Sequence, residues 1–278
     1  MKKPNLFIVG FQKCGSSSLF ELLSIHPAIS FTSPKETYFL TDPQYDNYDS
    51  DRNIQKSEVG WGDFVTNGNG KYLLEGTVAN FYQECAFQYI SSLADRKVIF
   101  LVRNPVDRFV SNYKYYYGRK NGIKAGTTIE KYFRNVLDGE YQREALKFSL
   151  LHGEYSTYIN KWTQELGSDS VHTISFEQLI ANPDYYLKAL WTFLELEPII
   201  VDNLSHKNQS KVSRFPKLHE MLVSKFGGSI LSNNATRAVY SKLFPKKIKQ
   251  VILSDALKKE LTTYYGGTIE TYKELFFL

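Results

Sequence analysis

Short runs of consecutive apolar residues, each followed by sequence with a helical repeat, recur along much of this chain. Asn5 to Val9 is one such run, bounded by Pro4 and Gly10, and reads as a buried parallel strand leading into a loop. A helix then begins near Ser16, with Leu19, Phe20, Leu22, Leu23 and Ile25 on its apolar face. It stops at His26-Pro27, because the residue before a proline is pushed out of helical geometry. Tyr72 to Leu74 and Lys97 to Val102 are further strands, the second (KVIFLV) apolar enough to be central. Asn104 to Tyr117 predicts a helix with Pro105 just inside its start. Val171 to Ser175 predicts a strand, followed by helices over Phe176 to Ile180 and Pro183 to Leu194. Asp202 to Pro216 is polar and basic without a clear period, a candidate loop over the active site. Ser254 to Phe276 reads as two helices broken at Gly266-Gly267. The alternation predicts an α/β fold of P-loop-like, three-layer type, with a mostly parallel central sheet flanked by helices. No linker divides the 278 residues, so a single domain over 1–278 is expected, with room for an appended lid.

Composition narrows this picture only slightly. With 42% hydrophobic and 23% charged residues, the chain is neither disordered nor repetitive. A net charge of +5 suits an anionic ligand but lacks the clustered basic tracts of a nucleic-acid binder. Cys14 and Cys85 are the only cysteines, which excludes a disulfide framework and zinc-type spacing and suggests a reducing compartment. No stretch approaches the ~20 apolar residues of a membrane span, and the N-terminal run is too short for a signal sequence. A cytoplasmic protein with no membrane or nucleic-acid partner is expected.

The chemistry concentrates in two segments. Gly10 to Ser17 (GFQKCGSS) nearly matches the phosphate-binding pattern G-x-x-x-x-G-K-S/T, whose backbone N–H groups and helix N-terminus hold phosphate oxygens. The departure is informative: Ser16 stands where the lysine belongs, and a lysine appears inside the loop at Lys13. Taken alone, the loop could also be a tight strand-to-helix turn with serine caps. The second segment, KVIFLVRNPVDRFVSNY, sets Arg103 at the end of a strand and Ser111 eight residues later in the next helix. Surface ion pairing of Arg103 and Arg108 with Asp107 is the plain alternative, but it leaves the ordered pair of motifs unexplained.

Together these segments resemble the donor site of sulfotransferases that use 3′-phosphoadenosine 5′-phosphosulfate (PAPS), of the bacterial and heparan type. The resemblance extends through GEYSTYINKWTQELGSDSVHTISFEQLI and the closing LKKELTTYYGGTIETYKELF, from Asn5 to about Phe276. It implies that Lys13, Gly15, Ser16, Ser17 and Ser18 hold the 5′-phosphosulfate and that Arg103 and Ser111 hold the 3′-phosphate. It also implies 3′-phosphoadenosine 5′-phosphate (PAP) as the product, and no metal. The strand KVIFLV ends in Arg103 where a kinase would need an acidic metal ligand. The basic loop HKNQSKVSR resembles a late nucleotide-covering loop, with Lys211 as its candidate ligand and Lys207 and Arg214 as weaker ones.

An attacking hydroxyl or amine must lose a proton. Glu36, in SPKETYFL, resembles the catalytic glutamate of the heparan-type enzymes and is the candidate base, with Lys35 beside it; a simple ion pair with Lys35 is the alternative. Glu75, in LLEGTVANFY, is the next candidate. There the sequence departs from the family, since Gly76 stands where many glycan sulfotransferases have a lysine and Ala79 replaces a proline. His26, His172 and His219 read as structural or surface residues, and His152 and His206 as possible cleft histidines. The acceptor is expected to be a small molecule or a glycan. The competing classes are a P-loop kinase or NTPase, and a polyanion-binding module without catalysis.

Overall fold

The computed structural model describes residues 3–55, 60–65, 69–119, 121–199, 211–213, 246–248 and 251–276. They fall into two compact units, one formed by Met1–Pro105, Glu154–Asn208 and Tyr265–Leu278, the other by Val106–Gly153 and Gln209–Tyr264.

The first unit is built on a five-stranded, all-parallel sheet. Its strands are β1 (Leu6–Gly10), β2 (Ile29–Phe31), β3 (Tyr72–Glu75), β4 (Lys97–Val102) and β5 (Val171–Ser175), in the order β2-β3-β1-β4-β5. Every residue of β1 and β3, and all of β4 after Lys97, is buried. A strand covered on both faces needs apolar side chains on both, which is why these segments read as continuous runs and not as alternation. The helices α1 (Ser16–Ser24), α2 (Glu84–Ser91), α6 (Tyr155–Leu166), α7 (Phe176–Ala181) and α8 (Pro183–Leu194) flank the sheet. Trp162 of α6 is fully buried and its indole N–H donates to the Phe81 carbonyl at 3.0 Å. Helix α8 starts as its sequence dictates, with Asn182 accepting from the Tyr185 amide and Pro183 in the first turn.

The order of the sheet decides where a ligand fits. After β1 the chain crosses to the β2 and β3 side, and after β4 it continues to the β5 side, so the direction of winding reverses between the adjacent strands β1 and β4. In open α/β sheets the crevice beyond the carboxyl ends of such strands is the binding position. The segments that follow these two strands begin at Phe11, directly after Gly10, and at Arg103.

The second unit contains most of α3 (Pro105–Tyr116), with α4 (Ile129–Leu137), α5 (Glu144–Lys147), α9 (Asp255–Tyr264) and the antiparallel pair β6 (Lys211–Ser213) and β7 (Lys246–Ile248). Phe109 stacks on Tyr132 at 5.0 Å between ring centres. Arg108 is buried and donates to the Ser149 carbonyl, so this arginine is a structural member of the unit.

Two local expectations are corrected, and one strand was not foreseen. Helix α1 ends at Ser24, and Ile25, expected on the apolar face, is its C-cap and is 61% exposed. Strand β2 lies outside the sequence reading. The tail holds α9, α10 (Gly266–Thr271) and α11 (Lys273–Phe276), so the break falls at buried Tyr265, and the two glycines form the first turn of α10.

Candidate active site

The loop after β1 is held against β4 by its first amide, Phe11 N–H donating to the Leu101 carbonyl at 2.9 Å. Its backbone takes left-handed φ values at Lys13 (+69°) and Gly15 (+95°). At Gly15 only glycine fits, since a Cβ there would also stand 2.6 Å from the Phe176 ring. Gly15 is the N-cap of α1 and makes no side-chain cap, and the first turn carries no acidic residue. The positive end of the helix thus has no internal counter-charge at Ser16, Ser17 and Ser18, which favours an anion there. Ser16 is buried, and Lys13, Ser17 and Ser18 are half-buried.

Arg103 follows β4. Its guanidinium lies over the Phe176 ring, 4.8 Å from the centroid, with Glu177 Oε1 at 4.0 Å from Nε. Glu177 accepts from the Asn104 amide at 2.9 Å, and the Tyr155 hydroxyl donates to the Arg103 carbonyl at 2.8 Å. Burial raises the pKa of Glu177 above the ordinary carboxylate value, opposed by the Asn104 amide, its own amide, Arg103 and Ser175. Phe176 thus meets both the Gly10 loop and the residue after β4: it backs Gly15 and supports Arg103. Sequence reasoning did not single it out; its signal was a position directly after β5, with Ser175 capping α7. Ser111 is half-buried on α3 and belongs to the second unit.

The segment after β2 and the end of β3 carry the acidic candidates. Glu36 accepts from the Tyr38 hydroxyl at 2.7 Å and pairs with Lys35 at 3.4 Å, with 30% of its side chain exposed. Glu75, at the end of β3, is only 1% exposed. Thr37 donates to it through its hydroxyl (3.0 Å) and amide (3.4 Å), Thr77 through its hydroxyl and amide (3.0 Å), and Asn80 through Nδ2 (3.1 Å). Burial pushes its pKa up, and the Thr77 and Thr37 hydrogen bonds pull it down. Such a carboxylate ties the end of β3 to the Glu36 segment; its lone pairs are spent on positioning. The lysine expected of the family after it is Gly76 here, and the Gly76 carbonyl instead accepts from Lys35 at 3.0 Å.

The histidines divide clearly. Both ring nitrogens of His26 meet backbone, at Glu197 O (3.0 Å) and Ala28 N (3.1 Å), and His172 stacks on Phe193 at 4.8 Å. His152 is 2% exposed, and burial, helped by Arg108, lowers its pKa to about 3. Lys211 opens β6, while its side chain, and His206, Lys207, Arg214 and His219, lie outside the described residues.

A parallel sheet that reverses its winding beside a glycine loop, with an arginine directly after the neighbouring strand, defines an open α/β protein whose ligand crevice lies at that reversal. The sulfotransferase domain profile matches residues 3–247, and the chain belongs to that family. Mouse heparan sulfate glucosamine 3-O-sulfotransferase 3B1 is 26% identical over 210 residues, which cover 75% of this chain and 50% of that protein. Human bifunctional heparan sulfate N-deacetylase/N-sulfotransferase 2 is 26% identical over 211 residues, covering 71% of this chain and 22% of that protein. The chain therefore spans half the length, or less, of these curated relatives. Among solved structures, a sulfotransferase from Alicyclobacillus acidocaldarius aligns with a TM-score of 0.62 at 23% identity, covering 85% of this chain and all of that one. Mouse sulfotransferase SULT7A1 complexed with PAP aligns at 0.52 and 15% identity, covering 99% and 90%. These two likenesses establish the fold.

Proposed function

We propose that this chain transfers the sulfuryl group of PAPS to a hydroxyl, or an amine, of a glycan or small-molecule acceptor and releases PAP. One observation carries the reading: the Gly10 loop and Arg103 leave the carboxyl ends of adjacent strands at the reversal of the sheet, joined by Phe176. An anion site on a helix N-terminus beside an arginine fork suits a ligand with two separated phosphates. The curated relatives are named for sulfation of heparan sulfate at oxygen or nitrogen, which favours an amino-sugar acceptor. The two buried cysteine thiols suit a reducing compartment, hence the cytoplasm.

In this scheme the acceptor oxygen attacks sulfur as the bond from sulfur to the 5′-phosphate oxygen breaks, and the acceptor proton passes to Glu36. Lys13 and the amides of Ser16, Ser17 and Ser18 hold the phosphosulfate and meet the charge developing on the leaving oxygen. Arg103 binds the 3′-phosphate side. A sulfuryl group carries less charge than a phosphoryl group, so fixed cations and backbone dipoles suffice for it. Lys13→Ala is expected to lower turnover by about 100-fold or more with the fold retained. Glu36→Gln should keep PAP affinity while turnover collapses. Single-turnover transfer of ³⁵S from PAPS, read beside calorimetric PAP binding, checks both; full activity in Lys13→Ala, or unchanged turnover in Glu36→Gln, removes the role.

A further inference from the structure

Lys35 does more than neutralise its neighbour. Its Nζ lies 3.0 Å from the Gly76 carbonyl, 3.3 Å from Ser16 Oγ and 3.4 Å from Glu36 Oε1, so one ammonium touches the end of β3, the first turn of α1 and the candidate base together. Only 19% of the side chain is exposed, and it runs past the Phe20 ring, 5.8 Å from the centroid. Gly76 makes the slot. A Cβ at that position would stand 3.1 Å from Lys35 Cγ and 2.7 Å from Phe20 Cδ2, so a larger residue would expel the lysine chain or the ring beside it. The segment carrying Lys35 is itself fixed, since the Thr37 hydroxyl donates to Glu75 and the Tyr38 amide to the Thr77 hydroxyl at 3.2 Å.

We propose that Lys35 couples proton removal to donor-group stabilisation, by bridging Glu36 to Ser16 through an ammonium that Gly76 admits. The inference rests on the sulfuryl-transfer reading above. In the resting site the Lys35 charge is offset by Glu36. When Glu36 takes the acceptor proton it becomes neutral, and the ammonium is left uncompensated at the moment negative charge develops on the transferring and leaving oxygens. Ser16, accepting from Lys35, keeps its own hydroxyl proton to donate towards those oxygens. Such a contact is stronger in the transition state than in the bound ground state, so its loss falls on kcat and spares donor affinity. Lys35 acts here as a positioning residue, through Glu36 and Ser16.

The test uses ³⁵S-PAPS with water as the acceptor, so that no acceptor need be known, and calorimetry with PAP. Lys35→Ala is expected to slow sulfate release about 100-fold while the PAP Kd moves less than about threefold. Lys35→Arg should recover most of the rate, since it keeps the charge. Gly76→Ala should slow the wild type about as much as Lys35→Ala does, yet cost less than about twofold more in the Lys35→Ala background, because its effect runs through the displaced lysine. Additive losses, a Lys35→Ala rate within threefold of wild type, or a parallel loss of PAP affinity each overturn the proposal. A wild-type chain that neither binds PAP nor releases sulfate overturns the sulfuryl-transfer reading itself, an outcome that separates the two failures.

Discussion

Glu75 shows how much a single residue can organise. Its Oε1 accepts from Thr37 and Thr77 and its Oε2 from the Thr77 amide and Asn80, all with the carboxylate 1% exposed. Glu75→Gln would set an amide N–H₂ against one of these donor sets, and leaving a buried donor unpaired costs about 1–3 kcal/mol. A fall in denaturation midpoint of that size, with an unchanged denaturant slope, is the expected result; a Gln variant as stable as wild type would show that the network does not hold the segment. His152 supplies the pH dependence. Its folded pKa of about 3 lies below the ordinary 6.5, so between those values the unfolded chain binds a proton that the folded chain refuses. Stability therefore falls as pH drops below 6.5, by about 2 kcal/mol at pH 5 from this group alone. His152→Gln should flatten that part of the stability profile; an unchanged slope would contradict it. At this scale the sequence was a partial guide. Glu36 and Lys35 stood out as neighbours, but the Gly76 contact that turns Lys35 towards Ser16 joins residues 41 positions apart, a distance no local pattern spans.

At the scale of elements, the strands and helices nearest the sheet centre were the legible ones. β1 and, after Lys97, β4 announce themselves because burial on both faces leaves no polar position to confuse the period. β2 is three residues long, and its middle residue, Ser30, accepts from the Gly70 amide at 3.0 Å, so it has neither the length nor the apolar run that marks a strand. Helix α4 did carry a signal that went unused: Ile129, Tyr132, Phe133 and Val136 recur at helical spacing, and Thr128 caps the start by accepting from the Lys131 amide at 3.2 Å. In the tail, a Cβ on Gly266 or Gly267 would meet nothing within 4 Å, so these glycines answer to no tight turn, and reading them as the break misplaced it.

For the molecule as a whole, the family and the parallel α/β class were both readable from two motifs and their order along the chain. The strand order was not, since it depends on which strands pair across long separations, and it is the strand order that brings the Gly10 loop beside the residues that follow β4. The division into two units was likewise hidden, because the boundary at Pro105 and Val106 falls inside the first turn of a continuous helix and not in a linker. In the proposed reading, the first unit's loop and Arg103 recognise a nucleotide by its separate 5′ and 3′ anions. Calorimetric titration of the chain with PAP and with ADP, the latter with and without Mg²⁺, tests it directly. PAP is expected to bind at least about tenfold tighter than ADP, as the loss of one charge-assisted contact implies, with the preference abolished in Arg103→Ala. Equal affinity for the two nucleotides, or tight binding of ADP that requires Mg²⁺, would contradict it.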